Sequence, residues 1–363
     1  MNGEKLYHYT SVRGFESIIK NKCIRMTRSD FMNDPHDCQV FFDIVEKYIN
    51  EKMGTINLSE YLHHKDNHRY VEEVLRRYPP VAYMKYLFKT IPLYVLSLTG
   101  EADSLPMWNY YGGDGIRLAF DSDGLIHTMS SSLCRDASDF LVKTRVEYID
   151  SDTKLEDLTL NSFSDFYVYS YNGKTERAEL RTPVVQHNEG ENLRYFIDSF
   201  IVSYIKTIAY MAYSEDIEGI PNCRRMMECP SKDFFICVFE NNKGQSSEKT
   251  RFKADIDLYM LILAARYKTK TFENENETRI VFFKQDELEK PEEKIITSEY
   301  KFGSFLKPLI ECPFHTDDVA DILLAPSAKQ LPVHMETYQK LIREFCGKTD
   351  DFIVDVSKHD VRW

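Results

Sequence analysis

The chain predicts a mixed α+β fold around one central sheet, and three observations predict it. Short β-branched and aromatic runs such as Leu93–Leu98, Ile116–Phe120 and Arg279–Phe283 recur along the sequence and read as strands. The helical stretches between them differ widely in length, unlike the regular alternation of a parallel-sheet domain. Gly112, Gly113 and Gly115 precede a strand rather than a helix, and no third glycine stands at the required place, which argues against a Rossmann domain.

Leu6-Tyr7-His8-Tyr9-Thr10 reads as the first strand. Ser11 then has the chemistry of an N-cap, for a helix with Phe15, Ile18 and Ile19 on one face and its end at Asn21. Cys23 to Thr27 returns as a second extended segment. Phe31-Met32-Asn33-Asp34-Pro35 is turn chemistry, because Asn and Asp bond their own backbone and Pro fixes φ. From about Asp43 to Lys89 the pattern is helical and polar. Its His64 and His68 stand four apart but lack the carboxylate of a metal motif, so they read as a solvated helix face.

Leu93 to Leu98 is an apolar strand that ends at Thr99-Gly100. Met107-Trp108-Asn109-Tyr110-Tyr111-Gly112 follows, and Ile116 to Phe120 is the next strand. Leu125 to Leu133 suggests a short helix and Leu141 to Ile149 a strand. Asp150 to Lys249 reads mostly as a helical insertion, with a buried helix over Tyr195–Met211 and a loop over Pro221–Pro230. A further helical block, Asp255 to Tyr267, leads to the strand at Arg279–Phe283. Strands are then expected at Phe302–Ile310, Val319–Leu324 and Phe352–Val356. A helix over Leu331–Phe345 is stopped by Gly347. The whole, residues 1–363, is expected to be a single domain with helical insertions at about 43–90 and 150–250.

Bulk properties narrow the function. Hydrophobic content of 43% with 23 Tyr and 23 Phe supplies a packed core. A net charge of −12 does not attract phosphate backbones, so nucleic-acid binding needs a local basic groove, such as one containing Lys268, Lys270 and Arg279. The cysteines are scattered, and Cys223, Cys229 and Cys237 lack zinc-knuckle spacing, so free thiols in a reducing cytoplasm are expected. No apolar leader opens the chain, and Leu258–Ala265 is too short to span a bilayer, which points to a soluble, cytoplasmic protein with no membrane partner.

Glu273, Glu275 and Glu277 alternate at the entrance to the Arg279–Phe283 strand. If strand geometry extends backwards, all three point to one side. Stacked like charges repel, so the spacing suggests a place where a cationic or electron-poor ligand is received; the plainer alternative is a solvated acidic loop.

Several segments, taken in order, resemble a large, poorly characterised bacterial family of the pattern YHYTS … FNDP … MW-x-x-Y … ENE-x-R-(I/V). Here they are Tyr7-His8-Tyr9-Thr10-Ser11, Asn33-Asp34-Pro35, Ser97-Leu98-Thr99, Met107-Trp108-Asn109-Tyr110-Tyr111, Gly115–Phe120 and Glu275-Asn276-Glu277-Thr278-Arg279-Ile280. That family in turn looks like a distant branch of the ADP-ribosyltransferase superfamily. The opening segment resembles the DNA-modifying enzymes of bacterial toxin–antitoxin systems, and the Glu-x-Glu pair resembles the late motif of mono-ADP-ribosyltransferases.

The resemblance implies a central split sheet with flanking helices and NAD as co-substrate, without a metal. Cleavage of the nicotinamide–ribose bond passes through an oxocarbenium-like state that a nearby carboxylate stabilises. It assigns that carboxylate to Glu277, with Glu275 contacting or deprotonating the acceptor. His8 and Thr10 would hold the dinucleotide, and Ser97 and Thr99 form the second-strand motif. Tyr9, Trp108, Tyr110 and Tyr111 are candidates to wall the nicotinamide, and Arg117 or Arg279 to face the pyrophosphate. Asn33 and Asp34 would shape the pocket.

The implied activity is ADP-ribosyl transfer to a macromolecule, nucleic acid ahead of protein, in a toxin or phage-defence role with an antitoxin protein as partner. Three alternatives stay open: an NAD glycohydrolase, a non-catalytic binding module on the same fold, and a metal hydrolase built from Asp34, His36, Asp37 and the glutamates.

Overall fold

A computed structural model describes residues 4–32, 34, 36, 38–62, 68–90, 93–135, 139–150, 152–158, 167–172, 177–181, 193–213, 235, 259–284, 296–299, 306–331 and 333–360. It is a mixed α and β structure whose central sheet is mostly antiparallel.

Strand β1 (Lys5–Thr10) leads into helix α1 (Val12–Asn21). Ser11 caps that helix by accepting a hydrogen bond from the Gly14 amide at 3.1 Å. Lys22 ends it in the left-handed region, at φ 49°. Strand β2 (Cys23–Arg28) follows, then helices α2 (Val40–Thr55), α3 (His68–Arg77) and α4 (Pro80–Thr90). Strand β3 (Tyr94–Thr99) runs to a short helix α5 (Leu105–Met107) that continues as a π-turn over Trp108–Gly112. Strand β4 (Ile116–Asp121), helix α6 (Ser122–Leu133) and strands β5 (Asp139–Arg145) and β6 (Glu147–Ile149) come next.

The hairpin β7 (Tyr167–Asn172) and β8 (Arg177–Arg181) precedes the long helix α7 (Leu193–Tyr213). After helical residues 259–266 come β9 (Tyr267–Thr269), a 3-10 turn over Lys270–Glu275 and β10 (Glu277–Lys284). Strands β11 (Ile296–Glu299), β12 (Leu306–Pro313) and β13 (Val319–Leu324), a helix over Met335–Phe345 and β14 (Val354–Val356) complete the chain.

Nine strands of the main sheet run in the order β14-β13-β4-β1-β3-β10-β5-β7-β8, while β2 joins β3 and carries β12 and β11. One edge of β3 is therefore shared. Strand β1 meets it at Tyr7 opposite Thr99, and β2 meets it at Thr27 opposite Val95 and Arg28 opposite Tyr94. Among the described residues no ladder pair joins Leu96, Ser97 or Leu98 to β1 or β2, so the sheet opens there. On its other side β3 is zipped to β10, with Arg279 opposite Ser97 and Glu277 opposite Thr99.

Alternation along these strands sends residues to two cores. Val95, Val142 and Val281 pack with α2, α3, α4, α7 and the 259–266 segment on one face. Leu96, Leu98, Ile280 and Phe282 pack with α1, α6 and the C-terminal helix on the other. The stretches expected as two separate insertions thus share one apolar core. Phe41, Val45 and Ile49 of α2 are fully buried there, each worth about 1.5–3 kcal/mol. The Tyr48 hydroxyl also donates to Asp198 of α7 at 2.6 Å.

Several sequence expectations change. The helical reading of about 43–90 holds over α2, α3 and α4, but its polar pattern hid the apolar side chains that α2 and α4 send into this core. The region 150–250 is not purely helical, since β7 and β8 extend the sheet beyond β5. The expected Leu141–Ile149 strand breaks at Val146, whose amide turns to the Glu277 carbonyl at 2.9 Å before β6 pairs with β9 instead. The expected helix from Leu331 starts only at Met335. His64, Cys223, Cys229, Cys237 and the loop at 221–230 lie outside the described residues. The described cysteines Cys23, Cys38, Cys134, Cys312 and Cys346 are unbonded to one another. Among the described residues no helix is long and apolar enough to cross a membrane.

Candidate functional site

Where the sheet opens, a cavity of about 490 Å³ is walled by Tyr7, His8 and Tyr9 of β1, Arg25 and Thr27 of β2, and Val95 to Leu98 of β3. Phe31, Met32, Asp34, Met107, Tyr111, Lys268, Phe272, Glu275 and Glu277 complete its lining. Its size lies within the range of small-molecule sites.

His8 crosses the opening. Its ring hydrogen-bonds the backbone of Ser97, on the stretch of β3 that β1 no longer reaches. Burial lowers its pKa to about 4, which the Ser97 hydrogen bond only partly opposes, so the ring is neutral at neutral pH. A neutral imidazole that donates to Ser97 leaves its second nitrogen as an acceptor.

The acidic segment is not an extended ladder. Glu273 and Glu275 belong to the 3-10 turn, and Asn276 takes a left-handed conformation at φ 41°, so the strand begins only at Glu277. Asn276 is held there by Glu101, which accepts from its amide at 2.8 Å, and by Arg145, which donates to its side-chain oxygen at 3.1 Å. Even so, Glu275 and Glu277 meet in the cavity while Glu273 remains exposed outside it.

The expected repulsion between them is cancelled. Lys268 Nζ donates to Glu275 Oε2 at 2.6 Å and to Glu277 Oε2 at 3.1 Å. Arg279 grips Glu277 through Nε at 2.8 Å and Nη2 at 3.1 Å. Burial alone would raise the Glu277 pKa. The charges of Arg279 and Lys268, with hydrogen bonds from Arg279 and Ser97, outweigh it and hold the carboxyl at about 2. Glu275 accepts from the Tyr111 hydroxyl at 2.7 Å, and its carbonyl accepts from Thr99 at 2.6 Å. The Glu277 amide donates to the Tyr148 hydroxyl at 2.8 Å.

Of the sequence candidates, Glu275, Glu277, His8, Tyr9, Ser97, Tyr111 and Asp34 line the cavity. Asp34 also forms the expected turn, accepting from the His36 amide at 2.9 Å; Asn33 lies outside the described residues.

The remaining candidates stand elsewhere. Thr10 turns towards Gly14, where a Cβ would meet its hydroxyl at 2.1 Å. Thr99 is buried and braces the Glu275 turn. Trp108 is core: its indole donates to Asp103 at 2.9 Å and its ring meets Tyr9 edge-on at 4.8 Å. Tyr110 is 72% exposed on the outer side of the π-turn. Arg117 is buried against Asp321, with its guanidinium 4.8 Å from the Tyr7 ring centroid. Arg279 is fully buried behind Glu277, donating also to the Ala265 carbonyl at 2.9 Å. Both arginines are therefore committed to carboxylates within the protein, and neither lines the cavity.

From sequence, Lys268 belongs only to a possible basic groove. Instead Lys268 and Arg279 are buried with the glutamates, and Lys270 pairs with Asp150 at 3.2 Å. A signal was present, because Arg266, Lys268 and Lys270 alternate just before Glu273, Glu275 and Glu277. Arg25, Thr27 and Phe272 also line the cavity with no motif to announce them. Among the described residues no group of three His, Cys, Asp or Glu side chains could hold a metal ion. No protein family, curated protein or solved structure matches the chain.

Proposed function

We propose that the protein is an NAD-dependent ADP-ribosyltransferase acting on a macromolecular acceptor. The observation that carries this reading is the meeting of an ionised, buried Glu277 with a neutral His8 in one cavity at the opening of the sheet. A fixed negative charge there suits the positive charge that develops on a ribose as its bond to nicotinamide breaks. The acceptor nitrogen of His8 suits a ribose hydroxyl as donor, and Tyr7, Tyr9 and Phe31 offer aromatic surface for planar rings.

In the proposed reaction the C1′–N bond breaks and nicotinamide leaves with the electron pair. The acceptor's nucleophilic atom then bonds C1′, and Glu275 takes the proton it loses. Nucleic acid is the first acceptor class to test, in a toxin or defence role with a neutralising antitoxin, and protein is the second. Lys268 and Arg279 are buried against the glutamates, so the preference for nucleic acid rests on the resemblance of the opening segment and not on a basic groove built from them.

One observation favours a second reading, a non-catalytic binding module on the same fold. Glu277 is already neutralised by Arg279 and Lys268, which lowers the field it can offer to an oxocarbenium ion. Incubation with labelled NAD and separate RNA, DNA and protein pools distinguishes the two. Transfer of label to one pool supports the enzyme, release of free ADP-ribose alone makes it a glycohydrolase, and NAD binding without turnover supports the module.

A further inference from the structure

Lys268 is the one cation among the described residues that touches both cavity glutamates. It reaches them from β9, the edge of a separate two-stranded sheet, with its ammonium 4.5 Å from the Phe272 ring centroid. Burying an ammonium is costly unless it is paired, and here two carboxylates pair it at 2.6 and 3.1 Å. We infer that Lys268 is a positioning residue for the proposed transfer: its ammonium fixes Glu277 at the ribose and Glu275 towards the acceptor in one rigid unit. This inference rests on the transferase reading above.

Arg279 cannot serve the same purpose. Among the described contacts it reaches Glu277 of the two glutamates and extends to the Ala265 carbonyl and Cys38. A compact ammonium with three rotatable donors can bridge two carboxylates on different elements, which a planar guanidinium does less readily. The chain of contacts continues to the π-turn through the Tyr111 hydroxyl on Glu275, so one lysine couples β10, the 3-10 turn and the π-turn.

The groups that face this unit are Glu275, Glu277 and Arg279 from the acidic segment and β10, Tyr148 from β6, Tyr111 from the π-turn and His8 from β1. Tyr148 is pushed up to about 12 by burial, so it stays neutral while Glu277 titrates. Loss of the Lys268 charge removes one of the two cations that keep Glu277 ionised.

The test compares Lys268→Met and Lys268→Arg with wild type, reading kcat and KM for nicotinamide release from NAD at neutral pH. Lys268→Met should lower kcat about tenfold or more while KM changes by less than about threefold. Lys268→Arg should recover most of kcat. An unchanged kcat in Lys268→Met, or a loss confined to KM, would overturn the inference.

A second measurement needs no variant and no activity. In wild-type protein labelled with 15N-lysine and 13C-glutamate, the Lys268 signal should move through the same low-pH step as the Glu277 carboxyl. A Lys268 signal indifferent to that step overturns the inference, even where Lys268→Met does not fold. Wild-type protein that leaves NAD intact overturns the transferase reading, and the shared titration then still decides whether Lys268 holds the pair.

Discussion

Arg279 grips Glu277 from two positions along the same strand, with Nε on Oε1 at 2.8 Å and Nη2 on Oε2 at 3.1 Å. Side chains two apart in a strand share a face, so this pair is set by the strand itself. It makes the candidate carboxylate part of the folded core as well as of the cavity. Removing Glu277 takes away the carboxylate that Arg279 and Lys268 share, while Lys268 keeps Glu275. Glu277→Gln is therefore expected to cost about 3–5 kcal/mol. Glu277→Gln with Arg279→Met balances the charge again and should recover most of that loss. Urea unfolding of the single and double variants checks this, and equal stabilities would show that the pair is not coupled.

Tyr111→Phe separates the two glutamates' tasks. It removes the hydroxyl that donates to Glu275 at 2.7 Å and leaves Glu277 untouched. Hydrogen bonds to charged groups are worth about 1.5–3 kcal/mol, so transfer to the acceptor should fall roughly 10- to 100-fold. Nicotinamide release without acceptor should fall much less. Equal losses in both assays would place Tyr111 with Glu277 instead.

Acid should destabilise the fold in two steps. The folded-state pKa of His8, about 4, lies below its ordinary value near 6.5, so the unfolded chain binds more protons between them. That contribution is complete above pH 6.5 and is lost as pH falls towards 4. Glu277, held at about 2 against an ordinary 4.5, adds a second loss between pH 4.5 and 2. His8→Gln should flatten the first step, on the order of 2 kcal/mol, and leave the second. Unfolding curves at pH 7.5, 5.5 and 4.5 read the difference, and an unchanged slope would mean that His8 is not held neutral.

Gly115→Ala should disrupt the turn that carries Tyr111. A Cβ there would stand 2.0 Å from the Thr10 carbonyl oxygen and 2.7 Å from that of Gly112. Both are backbone atoms with no room to yield. A loss on the order of 2–4 kcal/mol is expected by thermal or urea unfolding. Tyr110→Ala, by contrast, should leave stability within about 0.5 kcal/mol, because its ring is solvent-facing.

Local signals carried the parts of the fold that depend on neighbours in sequence. Ser11 announced the start of α1 because its hydroxyl has a fixed partner three residues on, and β3, β4 and β13 were legible as β-branched or apolar runs. The Glu273–Glu277 segment misled because Asn276 takes a left-handed conformation at φ 41°, which period-two counting cannot register. Glu275 and Glu277 still converge, but through Lys268 and the turn, not through strand alternation. Arg117 reads as a phosphate binder because its partner Asp321 meets it only through sheet register, whereas Glu277 stands two residues from Arg279 on one strand, a pairing that period-two spacing does announce. The shared core of α2, α4 and α7 was equally invisible, since helices more than a hundred residues apart build it.

The most direct test of the account is nicotinamide release from NAD by folded wild-type protein and by the charge-balanced variant with Glu277→Gln and Arg279→Met. The double variant is chosen so that loss of folding does not imitate loss of chemistry. Release by wild type, falling at least a hundredfold in the variant while NAD binding persists, is the predicted result. Equal release by both proteins, or none by wild type, would contradict it.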